Sequence, residues 1–216
     1  HAVNHGFHYQ YMYNALQLNN GTGKFGDIAQ LSGVSSTDWS WSPLFADFDN
    51  DGLKDLFISN GLKRDFRNND FRNRKLKRLE QAQKNGEKIA KVVEELVFST
   101  PQRKTVNYAF KNNGDLTFTK SSKAWGITNP TFSNGVAYAD LDNDGDLDLV
   151  INNIDEEATI FKNNTNKNYL QFKFIGNPKN RFGIGVNIKL ETQQGSQVVE
   201  NYSTRGYQSS VTPIVH

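Results

Sequence analysis

The sequence repeats itself without a gap over 47 residues, and this repeat restricts the possible folds more than any other feature. When the chain is displaced by 93 positions, residues 14–60 align with 107–153 and 17 of the 47 pairs are identical. A third copy begins at residues 160–164, which repeat the sequence of residues 109–113 with one substitution. Repetition of this kind is typical of proteins in which one supersecondary unit packs against further copies of itself.

Within each copy the residues favour short β-strands separated by turns. Short apolar runs flank a turn at 44–46 and 56–58, and again at 136–139 and 147–151. Asn-Asn-Gly at 19–21 and 112–114 favours hairpins, because Asn and Gly tolerate positive φ. A unit of about 50 residues with several short strands predicts a β-propeller blade. The predicted fold class is therefore mainly β, a partial propeller with a helical insertion and a C-terminal β-rich module.

A basic segment separates the first two copies. The third copy follows the second by 51 residues rather than 93, so the first interval holds 42 additional residues. Residues 64–104 carry 12 Lys+Arg and 6 Asp+Glu, whereas the whole chain carries 25 and 23. Apolar residues recur at helical spacing on both sides of Asn85-Gly86, which predicts two helices. The positive charge of this segment has three possible explanations. It forms a solvated helical face, it binds a protein or acidic-glycan partner, or it binds nucleic acid, which is the least favoured of the three.

The C-terminal part has a different pattern. Residues 169–175 and 186–190 alternate between apolar and polar side chains, which predicts strands. The predicted regions are a blade at 1–61, the helical insertion at 62–104, a second blade at 105–163 and a C-terminal module, truncated at its end, at 164–216.

Each copy contains a nine-residue loop crowded with carboxylates. The first acidic loop, residues 47–55, carries Asp47, Asp49, Asp51 and Asp55; the second acidic loop, residues 140–148, carries Asp140, Asp142, Asp144, Asp146 and Asp148. Carboxylates this close repel one another unless a cation neutralises them. Oxygen ligands select a hard ion, and Ca²⁺ accepts about six to eight of them at flexible distances, unlike the strictly octahedral Mg²⁺.

The spacing assigns a role to each loop position. Positions 1, 3 and 5 supply carboxylates, position 6 is the glycine of a sharp turn, position 7 offers a backbone carbonyl and position 9 closes the site. The last three roles fall to Gly52, Leu53 and Asp55 in the first loop and to Gly145, Asp146 and Asp148 in the second. Ile58 and Ile151 replace the bidentate Glu that an EF-hand requires. The sequence predicts two structural Ca²⁺ sites; the alternative is a pair of solvated turns without an ion.

These motifs resemble a known family. The blocks Asn-Asn-Gly, Phe, Gly-Val/Ile and Ala-Asp-x-Asp-Asn-Asp-Gly-x-x-Asp-Leu, at 14–60 and 107–164, resemble FG-GAP/VCBS repeats, as in the integrin α head. The resemblance implies propeller blades, calcium held by the aspartates at positions 1, 3, 5 and 9, and no catalytic residue. The C-terminal part resembles a second family, the ASPIC/UnbV module of bacterial surface proteins. This resemblance rests on Asn168-Tyr169-Leu170, Gly176-Asn177, residues 180–186 and Gly206-Tyr207-Gln208-Ser209.

Other features allow more than one interpretation. Trp39 and Trp41 are candidates for an exposed platform that binds a sugar ring, with core packing as the alternative. His1, His5 and His8 lie close together, but their spacing matches no standard metal motif. Two or three repeats cannot close a propeller, which needs at least about four blades. We therefore expect the chain to belong to a longer protein or to a multi-chain complex.

The function expected from the sequence is non-enzymatic. There is no Gly-x-Ser-x-Gly, phosphate-loop or His-Glu-x-x-His motif, and cysteine is absent. The sequence contains no run of about 18 apolar residues, which is the length that would indicate a transmembrane helix. We expect a calcium-binding, secreted or cell-surface protein, associated with the outer membrane if bacterial, that recognises a protein or glycan. The alternative is part of a polysaccharide-active enzyme or of its carbohydrate-binding propeller.

Overall fold

A computed structural model describes residues 12–65, 68–193 and 195–216. Within these residues the chain is mainly β, as predicted. The elements are β1 (Gln17–Asn19), β2 (Phe25–Asp27), β3 (Ser40–Ala46), β4 (Asp55–Asn60), α1 (Asn69–Lys84), α2 (Ile89–Phe98), β5 (Tyr108–Asn112), β6 (Phe118–Lys120), β7 (Ser133–Ala139), β8 (Asp148–Asn153), β9 (Thr159–Phe161), β10 (Asn187–Thr192) and β11 (Gly195–Glu200).

The strands follow the sequence repeat. Displaced by 93 residues, β2, β3 and β4 coincide with β6, β7 and β8 at both ends. The first sheet has the antiparallel order β3-β4-β5-β6, and the second sheet has the order β7-β8-β9. Strands β1 and β2 pair as a separate hairpin. The first sheet thus joins two strands of the first sequence copy, β3 and β4, to two strands of the second copy, β5 and β6. Each sheet therefore begins in the middle of one sequence repeat and continues into the next.

Strand β4 lies at the centre of the core because it is buried on both faces. All six of its residues are buried. Phe57 packs in a cluster with Val136 and Ile151 of the second sheet. Leu56 and Ile58 belong to a different cluster, on the side of the β1–β2 segment. Successive side chains of a strand point to opposite faces, so β4 holds the sheet between two apolar layers.

The helical insertion packs mainly on itself. Helix α1 begins after Asn68, whose side chain accepts a hydrogen bond from the Phe71 N–H, and the break at Asn85-Gly86 confirms the prediction of two helices. Ala82, Val92 and Leu96 form a cluster of their own between α1 and α2. At the base of the insertion, Leu62 and Arg103 form a β-bridge. The two ends are therefore adjacent, and the blade strands on either side can still pair.

The C-terminal module contains one hairpin, in which β10 pairs with β11. This confirms a strand near 186–190, but the predicted strand at 169–175 is wrong. Among the described residues of that segment, only Phe172 makes a β-bridge, to Val215. The reason is that Tyr169 and Gln171 contact the second acidic loop instead of a neighbouring strand. Within the described residues, no helix combines the length and apolar character needed to cross a bilayer.

Candidate metal centre

The two acidic loops have the same backbone conformation. The asparagine at position 4 has positive φ in both, 51° at Asn50 and 60° at Asn143, and the glycine at position 6 has φ of 90° or 92°. Asn and Gly are the residues that tolerate this region. The carboxylate at position 1 holds the turn: Asp47 accepts hydrogen bonds from the N–H groups of residues 51 and 52, at 3.1 and 2.8 Å. Asp140 accepts the equivalent pair, both at 3.1 Å.

The carboxylate at position 9 joins each loop to the next strand of its sheet. Asp55 accepts hydrogen bonds from the N–H groups of Phe48 at 3.1 Å and Asn112 at 2.9 Å. Asp148 accepts the equivalent bonds from residues 141 and 163, at 3.0 and 2.8 Å. Both aspartates are buried. Burial raises the pKa of Asp55 to about 6, although its two N–H donors act in the opposite direction.

Each loop brings three carboxylates together. One oxygen each of Asp47, Asp49 and Asp55 lies within 4.8 Å of the others. In the second loop the set is Asp140, Asp142 and Asp144, so its third member comes from position 5 rather than from position 9. Oxygens on opposite sides of a Ca²⁺ ion, each about 2.4 Å from it, are about 4.8 Å apart. Both sets therefore match the size of a calcium coordination sphere, whereas Asp51 and Asp148 are not members of either set.

A lysine bridges the carboxylates at positions 3 and 5 in both loops. Lys111 contacts Asp49 and lies 2.6 Å from an oxygen of Asp51. Lys162 contacts Asp142 and lies 3.6 Å from an oxygen of Asp144. Hydrogen bonding to Lys162 lowers the pKa of Asp142. These lysines were not predicted from the sequence, although they occupy the same place in the repeated Phe-Lys-Asn-Asn at 110–113 and 161–164.

Position 7 distinguishes the two loops. Leu53 is exposed, and its N–H donates a hydrogen bond to Asp51. Asp146 is fully buried, and its Oδ2 accepts a hydrogen bond from the Thr165 N–H at 2.7 Å. Burial and the neighbouring carboxylates of Asp144 and Asp148 raise the pKa of Asp146 to about 6. The loop spacing predicted only a backbone carbonyl at this position, so the buried carboxylate of Asp146 is a finding of the structure.

Two buried carboxylate oxygens in these loops have no hydrogen-bond donor among the described residues. They are Oδ1 of Asp49 and Oδ1 of Asp146. A buried acceptor without a partner is costly, and an ionised carboxylate can be satisfied only by a donor or a cation. Together with the all-oxygen ligand sets, these atoms show that the residues fit a hard cation such as Ca²⁺.

The tryptophans predicted as a ligand platform lie elsewhere, between the first sheet and the C-terminal module. The ring of Trp41 is 4.7 Å from that of Tyr207 and 6.4 Å from that of Trp39. The Trp41 indole N–H donates to the carbonyl of Gly61. Trp41 is thus engaged in packing, while Trp39 is 42% exposed; sugar binding by this pair stays a prediction. His1, His5 and His8 lie outside the described residues.

Comparison with known proteins gives two family matches. A family model described as FG-GAP-like repeat matches residues 7–58 and 94–151, about half of the chain. A second model, described as ASPIC and UnbV, matches residues 176–216. No curated protein matches the sequence. The first match covers both acidic loops completely, and the second lies within the C-terminal module.

Proposed function

Because the chain belongs to the FG-GAP-like repeat family, we propose that each acidic loop binds one Ca²⁺ ion and that the protein serves recognition or assembly outside the cell. Its repeats and sheets make it a repeat-containing protein of the β-propeller type, with an ASPIC and UnbV module at the C-terminal end. The family and the fold type are established by these matches. We propose in addition the two calcium sites, the location outside the cell and the role in recognition.

The observation that carries the calcium proposal is that the two loops share one backbone conformation and that each gathers three carboxylates, at positions 1, 3 and 9 in the first loop and at positions 1, 3 and 5 in the second. Both gather three carboxylates within 4.8 Å, and both place a lysine against the carboxylates at positions 3 and 5. The ammonium groups within ion-pair distance do not balance the loops: Lys111 and Lys167 face four carboxylates in the first loop, and Lys162 faces five in the second. A divalent ion, when bound, supplies further positive charge and ties the loop to the strand that follows it. Asp47, Asp49 and Asp55 would hold it in the first loop, and Asp140, Asp142 and Asp144 in the second.

The proposed location follows from the type of site. Calcium-binding modules outside the cell have dissociation constants of about 10⁻⁴ to 10⁻³ M, and such sites are filled only where calcium is abundant. Loops this exposed, with Asp51, Asp142 and Asp144 open to solvent, are typical of weak modular sites. We expect a non-enzymatic role, in which the rigid blades present a surface to a protein or glycan partner.

Thermal unfolding with and without calcium tests this proposal. An ion present at about 100 times its dissociation constant, and binding only the folded state, adds about 2.7 kcal/mol to the free energy of unfolding. We expect EDTA to lower the melting temperature and excess Ca²⁺ to restore it. Calorimetric titration should find two sites in the wild type. Asp49→Asn should retain only the second site and Asp142→Asn only the first.

The matched control is Asp115→Asn, which removes an exposed carboxylate outside both loops. It should leave the calcium titration unchanged. An identical melting curve in EDTA and in millimolar Ca²⁺ would contradict the proposal.

A further inference from the structure

A cavity of about 350 Å³ lies where the two sheets meet the C-terminal module. Phe45, Tyr138 and Leu147 line it from the blades, and Val211 lines it from the module. Ligand pockets in proteins run from about 300 to 1,000 Å³ and combine apolar walls with a few polar groups. The cavity is therefore large enough for a small molecule, and it is separate from the three-carboxylate sets of the acidic loops.

Two cationic side chains line this cavity, Lys54 from the first loop and Arg205 from the module. Arg205 is held in place by hydrogen bonds from its Nε to the Tyr202 carbonyl at 3.0 Å and from its Nη2 to the Glu200 carbonyl at 3.2 Å. These bonds use two of its five N–H donors. The remaining donors are available for an acceptor in the cavity.

The positive charge of Lys54 is only partly balanced. Within the described ranges, no acid lies within ion-pair distance of its ammonium. Burial lowers the pKa of Lys54, Asp47 and Asp55 act in the opposite direction from beyond ion-pair distance, and the charge of Arg205 lowers it further. Burial raises the pKa of Tyr138, a half-buried residue on the same cavity wall, while the charge of Arg205 acts in the opposite direction. Glu200, the acidic residue of the lining, is exposed.

We propose that this cavity binds a small organic carboxylate, with Lys54 and Arg205 as the groups that recognise its charge. Arginine presents parallel N–H donors that match a carboxylate, and a partly buried ammonium adds a further charge-assisted hydrogen bond. Tyr138 supplies a hydroxyl donor, and Phe45 and Leu147 supply apolar surface for the body of the ligand. The volume suits a molecule the size of an acidic monosaccharide. Because neither cation belongs to the calcium ligand sets, this site does not depend on the calcium proposal.

Galacturonate and galactose form the test pair, since they share a ring and differ in the carboxylate. We expect saturable binding of galacturonate by the whole chain in calorimetric titration, and no measurable binding of galactose. Lys54→Gln and Arg205→Gln, which lie on different elements, should each weaken galacturonate binding at least about tenfold, because each removes a charged hydrogen-bond donor. The matched control is Lys179→Gln, which removes an exposed cation of the same module that does not line the cavity.

Circular dichroism and melting curves establish that the variants fold. Titrations in EDTA separate this site from the calcium sites, because galacturonate binding should persist there while the chain is folded. Acetate, which carries the carboxylate without the ring, should bind more weakly than galacturonate. Equal affinity for galactose, no saturable binding of galacturonate, or binding that both Gln variants retain would overturn the assignment.

Discussion

Lys111 and Lys162 partly neutralise the carboxylates of the acidic loops in the absence of a metal. A lysine carries one compact positive charge on a flexible chain, so it can lie beside the carboxylates at positions 3 and 5 without ordering all the loop oxygens. Although burial works against its charged form, contact with Asp49 and Asp51 raises the pKa of Lys111. The ammonium therefore stays charged at every physiological pH, and it competes with any other cation for the same oxygens.

Replacing either lysine with glutamine should strengthen calcium binding at that loop. Partly exposed ion pairs contribute about 0.2 to 1 kcal/mol, so we expect Lys111→Gln to lower the dissociation constant of the first site about 1.4- to fivefold. The free energy of unfolding in EDTA should fall by a similar amount, because the carboxylates lose their counter-ion. Calorimetric titration and chemical unfolding measure the two effects. Lys123→Gln, at an exposed position outside both loops, is the control; weaker calcium binding in Lys111→Gln would contradict the competition.

Asp55 and Asp146 should make the calcium-free protein less stable as the pH rises. Both have a pKa of about 6 in the folded state, above the ordinary value of about 3.9 for Asp in the unfolded chain. Between these values the folded state binds more protons. Its stability from these groups is therefore complete below about pH 4 and is lost as the pH rises through 6. We expect the melting temperature in EDTA to decrease between pH 5 and pH 7.5.

Asp146→Asn isolates one of these groups. It should raise the melting temperature in EDTA at pH 7.5 by about 2–4 °C, equivalent to about 1 kcal/mol for a chain of this size. The variant should also show a smaller change in melting temperature between pH 5 and pH 7.5. Scanning calorimetry across this range measures both. A pH dependence as steep as that of the wild type would mean that Asp146 does not bind the proton.

At the scale of the elements, the repeat predicted the strands well because each copy carries its own turn residues and apolar runs. The hairpin at Asn112-Asn113-Gly114, the two helices and both acidic loops could all be predicted from local sequence. The pairing of β4 with β5 could not, because it joins residues on either side of the helical insertion. The segment at 169–175 alternates like a strand, but the contacts of Gln171 with the second loop determine its conformation.

The same limit applies to the metal centre. Local spacing predicted the carboxylates at positions 1 and 3, which belong to both sets, but not that position 9 completes the set in the first loop and position 5 in the second. Lys111 and Lys162 approach their loops from neighbouring strands, so only the fold brings them there. The burial of the Asp146 side chain likewise depends on Thr165, which follows β9. Local pattern therefore indicated the candidate ligands, which stay a prediction, and tertiary pairing placed the lysines that face them.

The two loop glycines should differ in their tolerance of alanine. Gly52 and Gly145 both have φ near +90°, so alanine at either position should cost about 1 kcal/mol or more in backbone strain. A Cβ at Gly52 would meet only the Gln197 side chain, at 3.4 Å, whereas a Cβ at Gly145 would overlap the ring of Tyr169. We expect Gly145→Ala to lower the free energy of unfolding more than Gly52→Ala does.

Chemical denaturation measures this difference, and a double-mutant cycle with Tyr169→Ala identifies its cause. Removing the ring should recover part of the extra loss in Gly145→Ala and none of the loss in Gly52→Ala. Equal losses in the two alanine variants would show that Tyr169 does not constrain the second loop.

At the scale of the whole molecule, the C-terminal module lies against both acidic loops. Gln197 donates a hydrogen bond to the Gly52 carbonyl at 2.9 Å, and Gln171 donates one to Asp140 at 2.8 Å. Asn50 donates to the Gly145 carbonyl at 3.0 Å, which joins the two loops directly. The module is anchored away from the loops as well, because the Tyr207 N–H donates to Ser42 at 3.1 Å. Order in the loops should therefore extend to the module.

Calcium should consequently slow hydrogen exchange in the module, although none of its residues belongs to the proposed ligand sets. An ion that binds only the folded arrangement reduces the population of open states in proportion to its saturation, about 100-fold at 100 times the dissociation constant. We expect this slowing in the β10–β11 hairpin as well as in the loops. Gln171→Ala, which breaks the bond to Asp140, should reduce the slowing in the module and leave that in the first loop unchanged. Mass spectrometry of peptides from each region measures the exchange rates, and Lys173→Ala is the neighbouring control. Calcium-dependent slowing confined to the two loops would show that the module folds independently of them.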